Sequence, residues 1–325
     1  MVATQSTRSM LAIRNRVYGA PKNLVLERVA IPAPDAGEVL VRVRAASVNP
    51  YDWHAVRGRP YIARLIIGLR PPNRGIPGGD AAGIVEAVGE GVTEFRPSDE
   101  VVGRCRGAFA EYAVALASQL VQKPDRLSFE EAAAIPMAGI TALQAVCDHA
   151  AVKDGQRVVV NGAAGGVGSF AVQLAKSCGA HVTGVCSARG VELVRSIGAD
   201  EVIDYDTRDF TELDQFDVII DTVGNRPIRE LRRAMVDNGA LISVGGGGLS
   251  RKLATKVTNR FVTQHMVGMF ANLNHTDLRR ICDYADSGEI RPAVGRRYVL
   301  DDAADAIALV EGGHATGKVI LTTPR

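Results

Sequence analysis

The stretch Arg157–Lys176, RVVVNGAAGGVGSFAVQLAK, constrains this chain more than any other. It opens on Val158-Val159-Val160, an apolar β-branched run that predicts a strand buried on both faces. Gly162-Ala163-Ala164-Gly165-Gly166-Val167-Gly168 follows, and then an amphipathic run through Phe170, Val172, Leu174 and Ala175 to Lys176. A strand that turns this tightly into a helix needs residues with no bulky Cβ and with access to positive φ. The helix start then offers free N–H groups and the positive end of its dipole. Glycines at this spacing between a strand and a helix predict a dinucleotide fingerprint, with the pyrophosphate on the loop.

The texture on either side of this stretch differs. Up to about residue 130, short apolar runs alternate with turn signals. Leu24-Val25-Leu26, Val39–Val43, Ile84–Gly89, Glu100–Gly103 and Ala110–Val114 are separated by Pro32, Pro34, Gly37, Gly78-Gly79, Gly91 and Pro97. This pattern predicts an irregular β-rich domain. At Ser128, with Glu131 three residues on, a capping box predicts a helix start, and a second helical run spans Thr141–His149. From Val158 onward strands expected at 158–160, 181–186, 201–204, 217–221 and 240–244 alternate with helices near 167–178, 189–197 and 227–236. A sixth strand is expected over Gln264–Phe270. Such alternation predicts a doubly wound parallel sheet, the Rossmann arrangement. From about 275 the chain returns to helix and strand and closes on Gly317-Lys318-Val319-Ile320-Leu321. The fold class expected is α/β. Residues 131–274 form the dinucleotide-binding domain, and residues 1–130, rejoined by 275–325, form the β-rich one.

Composition narrows the function classes. The 325 residues suffice for two cores, and the net charge of +2 comes from interspersed acids and bases. No basic stripe predicts a nucleic-acid partner. No apolar run reaches membrane-spanning length, and MVATQSTRSM lacks the apolar core of a signal peptide. The five scattered cysteines, Cys105, Cys147, Cys178, Cys186 and Cys282, read as reduced thiols. The expectation is a cytoplasmic protein.

The cofactor is read from the end of the second strand. A site for NAD places Asp or Glu there, about twenty residues past the glycine loop, to accept from the ribose 2′-hydroxyl. This chain has Cys186-Ser187-Ala188-Arg189 instead, and the nearest acid, Glu192, falls inside a predicted helix. A hydroxyl at Ser187 and a guanidinium at Arg189 suit a 2′-phosphate, so NADPH is expected.

Taken together, GAAGGVGSFAVQLAK, IGADEVIDY, FDVIIDTVGN and GKVIL, with SVNPYD, PGGDAAGIVEAVGEGV, FAEYAV and PMAGITALQA before them, resemble the medium-chain dehydrogenase/reductase superfamily. The resemblance runs from about residue 11 to 322. It implies that the β-rich domain is GroES-like. Within the superfamily the chain resembles the zinc-free quinone oxidoreductase branch, the group that includes zeta-crystallin. Zinc members carry an early Cys, a Gly-His-Glu motif and a later third ligand. Here the early position falls within Asn49-Pro50-Tyr51-Asp52, the motif reads Gly78-Gly79-Asp80, and Pro136–Thr141 holds neither Cys nor His. A zinc site needs three or four converging ligands, so no metal is expected. Without a Lewis acid nothing stabilises an alkoxide. The expected chemistry is hydride transfer to a quinone or an α,β-unsaturated carbonyl.

The resemblance also implies residue roles. Asn49 matches an Asn near nicotinamide and substrate, whose amide donates to a developing oxyanion. Asp52 organises the same loop. His54 stands where relatives often carry a tyrosine facing the nicotinamide, and imidazole suits proton donation near neutral pH. Trp53 reads as core. Thr141 matches a Thr beside the carboxamide, and Ala164, Gly165, Gly166 and Val167 match the pyrophosphate loop. Tyr205 matches an aromatic near the adenosine. Val223 with Gly224, and Gly245 with Gly246, follow strands whose carboxyl ends face the cofactor. Phe270 and Asn272 match a segment whose backbone approaches the nicotinamide. In relatives that segment pairs with a second subunit, so a homodimer is implied. Tyr61–Arg74, YIARLIIGLRPPNR, reads as an apolar cover for a substrate cleft. Two other readings stand beside the quinone reductase: a specialised enoyl or alkenal reductase, and a non-catalytic NADPH-binding structural or regulatory protein.

Overall fold

A computed structural model of the chain describes residues 8–59, 75–213, 215–244, 255 and 262–323. The segment Tyr61–Arg74 and the pair Gly245 and Gly246 lie outside the described residues. The chain divides into two compact units. One is Met1–Met137 with Asn274–Cys282 and Val294–Arg325; the other is Ala138–Leu273 with Asp283–Ala293.

The first unit opens with β1 (Ser9–Arg14) and β2 (Val25–Ala30), an antiparallel pair. Its hub is β3 (Glu38–Val48), which pairs antiparallel with β4 (Asp80–Val88) and with β6 (Tyr112–Leu116). Buried positions run along nearly all of β3, so both of its faces are covered. Asn49 leads into α1 (Pro50–Arg57). Proline suits the first helical position because its φ is preset, and Gly58, at φ 60°, ends the helix in the left-handed region. β5 (Glu100–Arg104) and β7 (Leu120–Gln122) extend the sheet beyond β4. The Ser128 capping box forms as the sequence predicts: Ser128 Oγ accepts from Glu131 N at 3.2 Å, and Ser128 N donates to Glu131 Oε2 at 3.0 Å. It starts α2 (Phe129–Ala133). Pro136 cannot continue that helix but can open the next, α3 (Pro136–Leu143). A turn of π-helix, Gln144–His149, follows where the sequence predicts ordinary helix.

The second unit carries β8 (Arg157–Asn161), α4 (Gly166–Ser177), β9 (His181–Cys186), α5 (Val191–Ser196), β10 (Glu201–Asp204), β11 (Phe216–Asp221), α6 (Ile228–Arg233), β12 (Met235–Val244) and β13 (His265–Met269). The strands pair in parallel in the order β10-β9-β8-β11-β12-β13. Val158, Val159 and Val160 are completely buried, as are Phe170 and Leu174 of α4. Each such side chain contributes about 1.5–3 kcal/mol relative to exposure. The helix expected to reach residue 236 stops at Arg233, and β12 begins at Met235 rather than 240. The register of β11 with β12 shifts after Phe216↔Met235, so Val218 next faces Ala240.

The chain returns through α7 (His275–Ser287), β14 (Val294–Val299), α8 (Ala303–Glu311) and β15 (Lys318–Thr322). β15 joins β3 antiparallel and β14 parallel, giving a seven-stranded sheet. The sequence pattern did not reveal β14. Its VGRRYV is exposed or half-exposed throughout, as suits a charged edge strand.

Candidate functional site

Two neighbouring strand registers gather polar groups at one end of the seven-stranded sheet. Ser47 of β3 pairs with Asp80 of β4. Val48 pairs with Val319 of β15, which brings Lys318 level with Asn49. Asn49, Asp52, Asp80 and Lys318 are all buried. Asn49 Nδ2 donates to Asp80 Oδ2 at 2.9 Å and to the Ser47 carbonyl at 3.3 Å. Asn49 Oδ1 accepts from Lys318 Nζ at 2.6 Å. Asp80 Oδ2 also accepts from Met137 N at 3.0 Å. Asp52, in the first turn of α1, accepts from Asn49 N at 2.7 Å.

Two carboxyls here share one ammonium. Burial pushes the Asp52 carboxyl up to about 7, against the Asn49 backbone hydrogen bond; the Asp80 charge adds to the rise, while Lys318 opposes it. Burial raises Asp80 as well, opposed by Lys318 and by the Met137 and Asn49 hydrogen bonds. Burial lowers Lys318, opposed by both acids. An ammonium thus stands among the positions where, by the resemblance, zinc relatives keep ligands. Among the described residues no group of three or more His, Cys, Asp or Glu could hold a metal ion.

Asn49 and His54, the two residues expected at the reacting centre, are placed as follows. The Asn49 amide donates to Asp80 and to the Ser47 carbonyl and so braces the end of β3. His54 belongs to α1, with its ring stacked on Trp53 at 3.5 Å between centroids. Burial lowers its pKa, opposed by the Arg59 backbone and the nearby Glu311 carboxylate. Trp53 packs against the core of the first unit, as expected. No sequence signal singled out Lys318; only its pairing with Asn49 across 269 residues reveals it.

In the second unit the glycine loop has the form a pyrophosphate needs. Gly162 sits at φ 87°, and a Cβ at Gly168 would stand 2.1 Å from the Gly162 carbonyl oxygen. α4 begins at Gly166 with no acid in its first turn, and its N-cap, Gly165, supplies no side chain. The N–H groups of Gly166, Val167 and Gly168 therefore have no intrahelical acceptor, and Ala164 and Gly165 lie just before them. These residues fit a dinucleotide.

Ser187 follows β9 as the N-cap of a single 3₁₀ turn without a side-chain cap bond. Arg189 is exposed, and Tyr205 is 50% exposed, with its N–H donating to the Cys186 carbonyl at 3.0 Å. The structure adds an acid that linear reading missed. Asp204 pairs in register with Cys186, and its charge adds to the burial that pushes the Cys186 thiol up to about 11. Its Oδ1 accepts from Asp206 N at 3.1 Å. A carboxylate thus sits on the strand beside the one where an NAD site would place it.

Beyond β11, the completely buried Asp221 builds the loop that carries Val223. Its Oδ1 accepts from Asn161 Nδ2 at 2.9 Å, Gly224 N at 3.0 Å and Val223 N at 3.3 Å. Val223 is 47% exposed. Thr141 is buried in α3, Phe270 is exposed just past β13, and Asn272 is held through its backbone by Gln144.

Residues 35–125 match the alcohol dehydrogenase GroES-like domain, and residues 197–321 match the zinc-binding dehydrogenase family. The chain is 34% identical to the chloroplast envelope quinone oxidoreductase homolog of Arabidopsis thaliana, over 94% of this chain and 96% of the relative. It is 33% identical to the 2-methylene-furan-3-one reductase of Solanum lycopersicum, over 94% of this chain and 76% of that protein. The structure of the quinone oxidoreductase from Coxiella burnetii superposes with a TM-score of 0.87 at 30% identity, covering 98% of this chain and all of the other.

Proposed function

We propose a zinc-independent, NADPH-dependent reductase of quinones or α,β-unsaturated carbonyls for this chain, which belongs to the medium-chain dehydrogenase/reductase superfamily. It is an oxidoreductase that works with a nicotinamide cofactor, NAD(P)H, on a small-molecule substrate. One observation carries the finer reading: the Lys318 ammonium lodged on Asn49 between two buried carboxyls. The donors a zinc ion needs are not offered there, and the Lys318 ammonium, with the Arg104 charge nearby, faces the two acids instead. Acceptors whose carbonyl is already conjugated need no Lewis acid to take hydride at carbon or oxygen.

When bound, the reduced nicotinamide supplies the hydride. The chain's own residues do the rest. The Ala164–Val167 loop and the α4 N-terminus hold the pyrophosphate, and Asp221 fixes the Val223 loop beside it. Ser187 and the exposed Arg189 support a 2′-phosphate. Asn49 keeps the end of β3 rigid against β4 and β15. The proton that balances hydride transfer comes from solvent; burial disfavours the protonated form of His54. Quinones are favoured by the likeness to quinone oxidoreductases, and enones by the likeness to a methylene-furanone reductase. A homodimer joined edge to edge is part of the same reading, supported by the edge position of β13 in its sheet.

The test follows NADPH oxidation at the nicotinamide absorbance band with a panel of quinones and enones, beside NADH, with and without a strong zinc chelator. The expected result is turnover preferring NADPH and indifferent to the chelator. Loss of activity with the chelator, or turnover of alcohols instead, would overturn the zinc-free reading.

A further inference from the structure

We infer that Gln144 is a positioning residue for the nicotinamide half of the site, an inference that rests on the nicotinamide-dependent reading above. Gln144 opens the π-helical turn Gln144–His149 directly after α3 and is 7% exposed. Single π turns interrupt the regular hydrogen-bond ladder and are found frequently at functional sites. The carboxamide makes two bonds to one residue 128 positions away: Nε2 donates to the Asn272 carbonyl at 2.8 Å, and Oε1 accepts from Asn272 N at 3.0 Å. A side chain here treats a backbone unit as a neighbouring strand would.

The place of that backbone unit gives the clamp its meaning. In a doubly wound sheet the dinucleotide lies across the carboxyl ends of the strands, at the point where their order reverses. In this sheet the reversal falls between β8 and β11. The glycine loop after β8 takes the pyrophosphate. The β9–β10 side, with Ser187, Arg189 and Tyr205, takes the adenosine half. The carboxyl ends of β11, β12 and β13 are left for the nicotinamide half. Asn272 lies three residues beyond the end of β13, which among the described residues has a sheet neighbour on one side only. The Gln144 amide holds that backbone unit from one side as a paired strand would. Thr141 lies three residues before Gln144, in the last turn of α3. One amide therefore ties the backbone two residues past the exposed Phe270 to the helical run that carries Thr141.

Gln144→Met keeps the length and removes both bonds. Its binding of NADPH is compared with that of 2′,5′-ADP, which carries the adenosine half alone. The expected result is NADPH binding weakened about tenfold and kcat reduced about tenfold, with 2′,5′-ADP within about twofold of the parent. Gln144→Glu keeps the acceptor for the Asn272 amide and the core volume, and should recover part of the loss. It carries the same comparison if Gln144→Met does not fold. A purely structural glutamine would weaken both ligands together. Equal losses, or no loss of NADPH binding, would overturn the inference while leaving the parent's activity intact. A parent that binds NADPH but reduces no acceptor would overturn the functional reading alone, and the binding split would still be read. A parent that binds neither nucleotide would overturn both. If the parent prefers NADH, the same comparison is made with NADH and ADP.

Discussion

The glycine loop of the second unit and the buried cluster of the first are both built around charge, but from opposite materials. The loop offers backbone N–H groups from one continuous stretch, 162–168, in which Gly162 and Gly168 leave no room for a Cβ. The cluster offers side chains from positions 49, 52, 80 and 318, where backbone merely sets the register. A backbone site tolerates no added Cβ and has nothing to titrate. A side-chain site tolerates changes of shape but depends on which of its members are ionised.

Four experiments break or sharpen that contrast. The largest effect is expected from Lys318→Met. Asp80 and Asp52 would then lose their only ammonium, and removing one partner of a buried charge pair costs about 3–5 kcal/mol. Urea unfolding at pH 8 should show that loss, and at pH 5 a smaller one, because protonated carboxyls need no partner. An equal loss at both pH values would mean that the cluster is not ionised. Next is Gly168→Ala. Its Cβ would meet the Gly162 carbonyl oxygen at 2.1 Å, so the loop must move. NADPH binding followed by fluorescence should weaken by about a hundredfold, near 2.7 kcal/mol, with no dependence on pH.

Asp52→Asn separates the two regions by pH. The folded-state value of about 7 lies above that of a free carboxyl. Protonation therefore favours the fold: this contribution is complete below about pH 4 and is lost as pH rises through about 7. Between pH 5 and 8 the parent should lose about 2–3 kcal/mol through this group, and Asp52→Asn should not. Thermal melts of the two proteins across that range would measure it. Parallel melting curves would remove Asp52 from the account. The smallest effect belongs to the adenosine side. Arg189→Ala should lower the NADPH:NADH ratio of kcat/KM about tenfold. Asp204→Asn should raise it by about threefold, because a carboxylate beside Cys186 opposes a 2′-phosphate. An unchanged ratio in both variants would place the discrimination elsewhere.

The same contrast explains what could be read in advance. Ser128 and Glu131 announced a cap because both partners lie within one turn. Val158–Val160 announced a central strand because a strand covered on both faces is apolar at every position. β14 went unseen because Arg296 and Arg297 make an exposed edge look like a loop. The bonds of Asn49 are not legible in the sequence, since its two acceptors and its Lys318 donor come from β3, β4 and β15. Asp204 is not legible as a ribose-side acid because it ends β10, and only the sheet sets that strand end beside the end of β9.

By itself the sequence determined the parallel sheet, the glycine loop and the family, because these rest on local periodicity, on residues without side chains and on contiguous motifs. Tertiary structure alone decided that Lys318 reaches Asn49, that Gln144 holds Asn272 and that Asp52 is buried beside a second acid. Those facts depend on the pairing of strands and turns far apart in the chain. They depend as well on desolvation, which a group acquires only once the rest of the fold has closed over it.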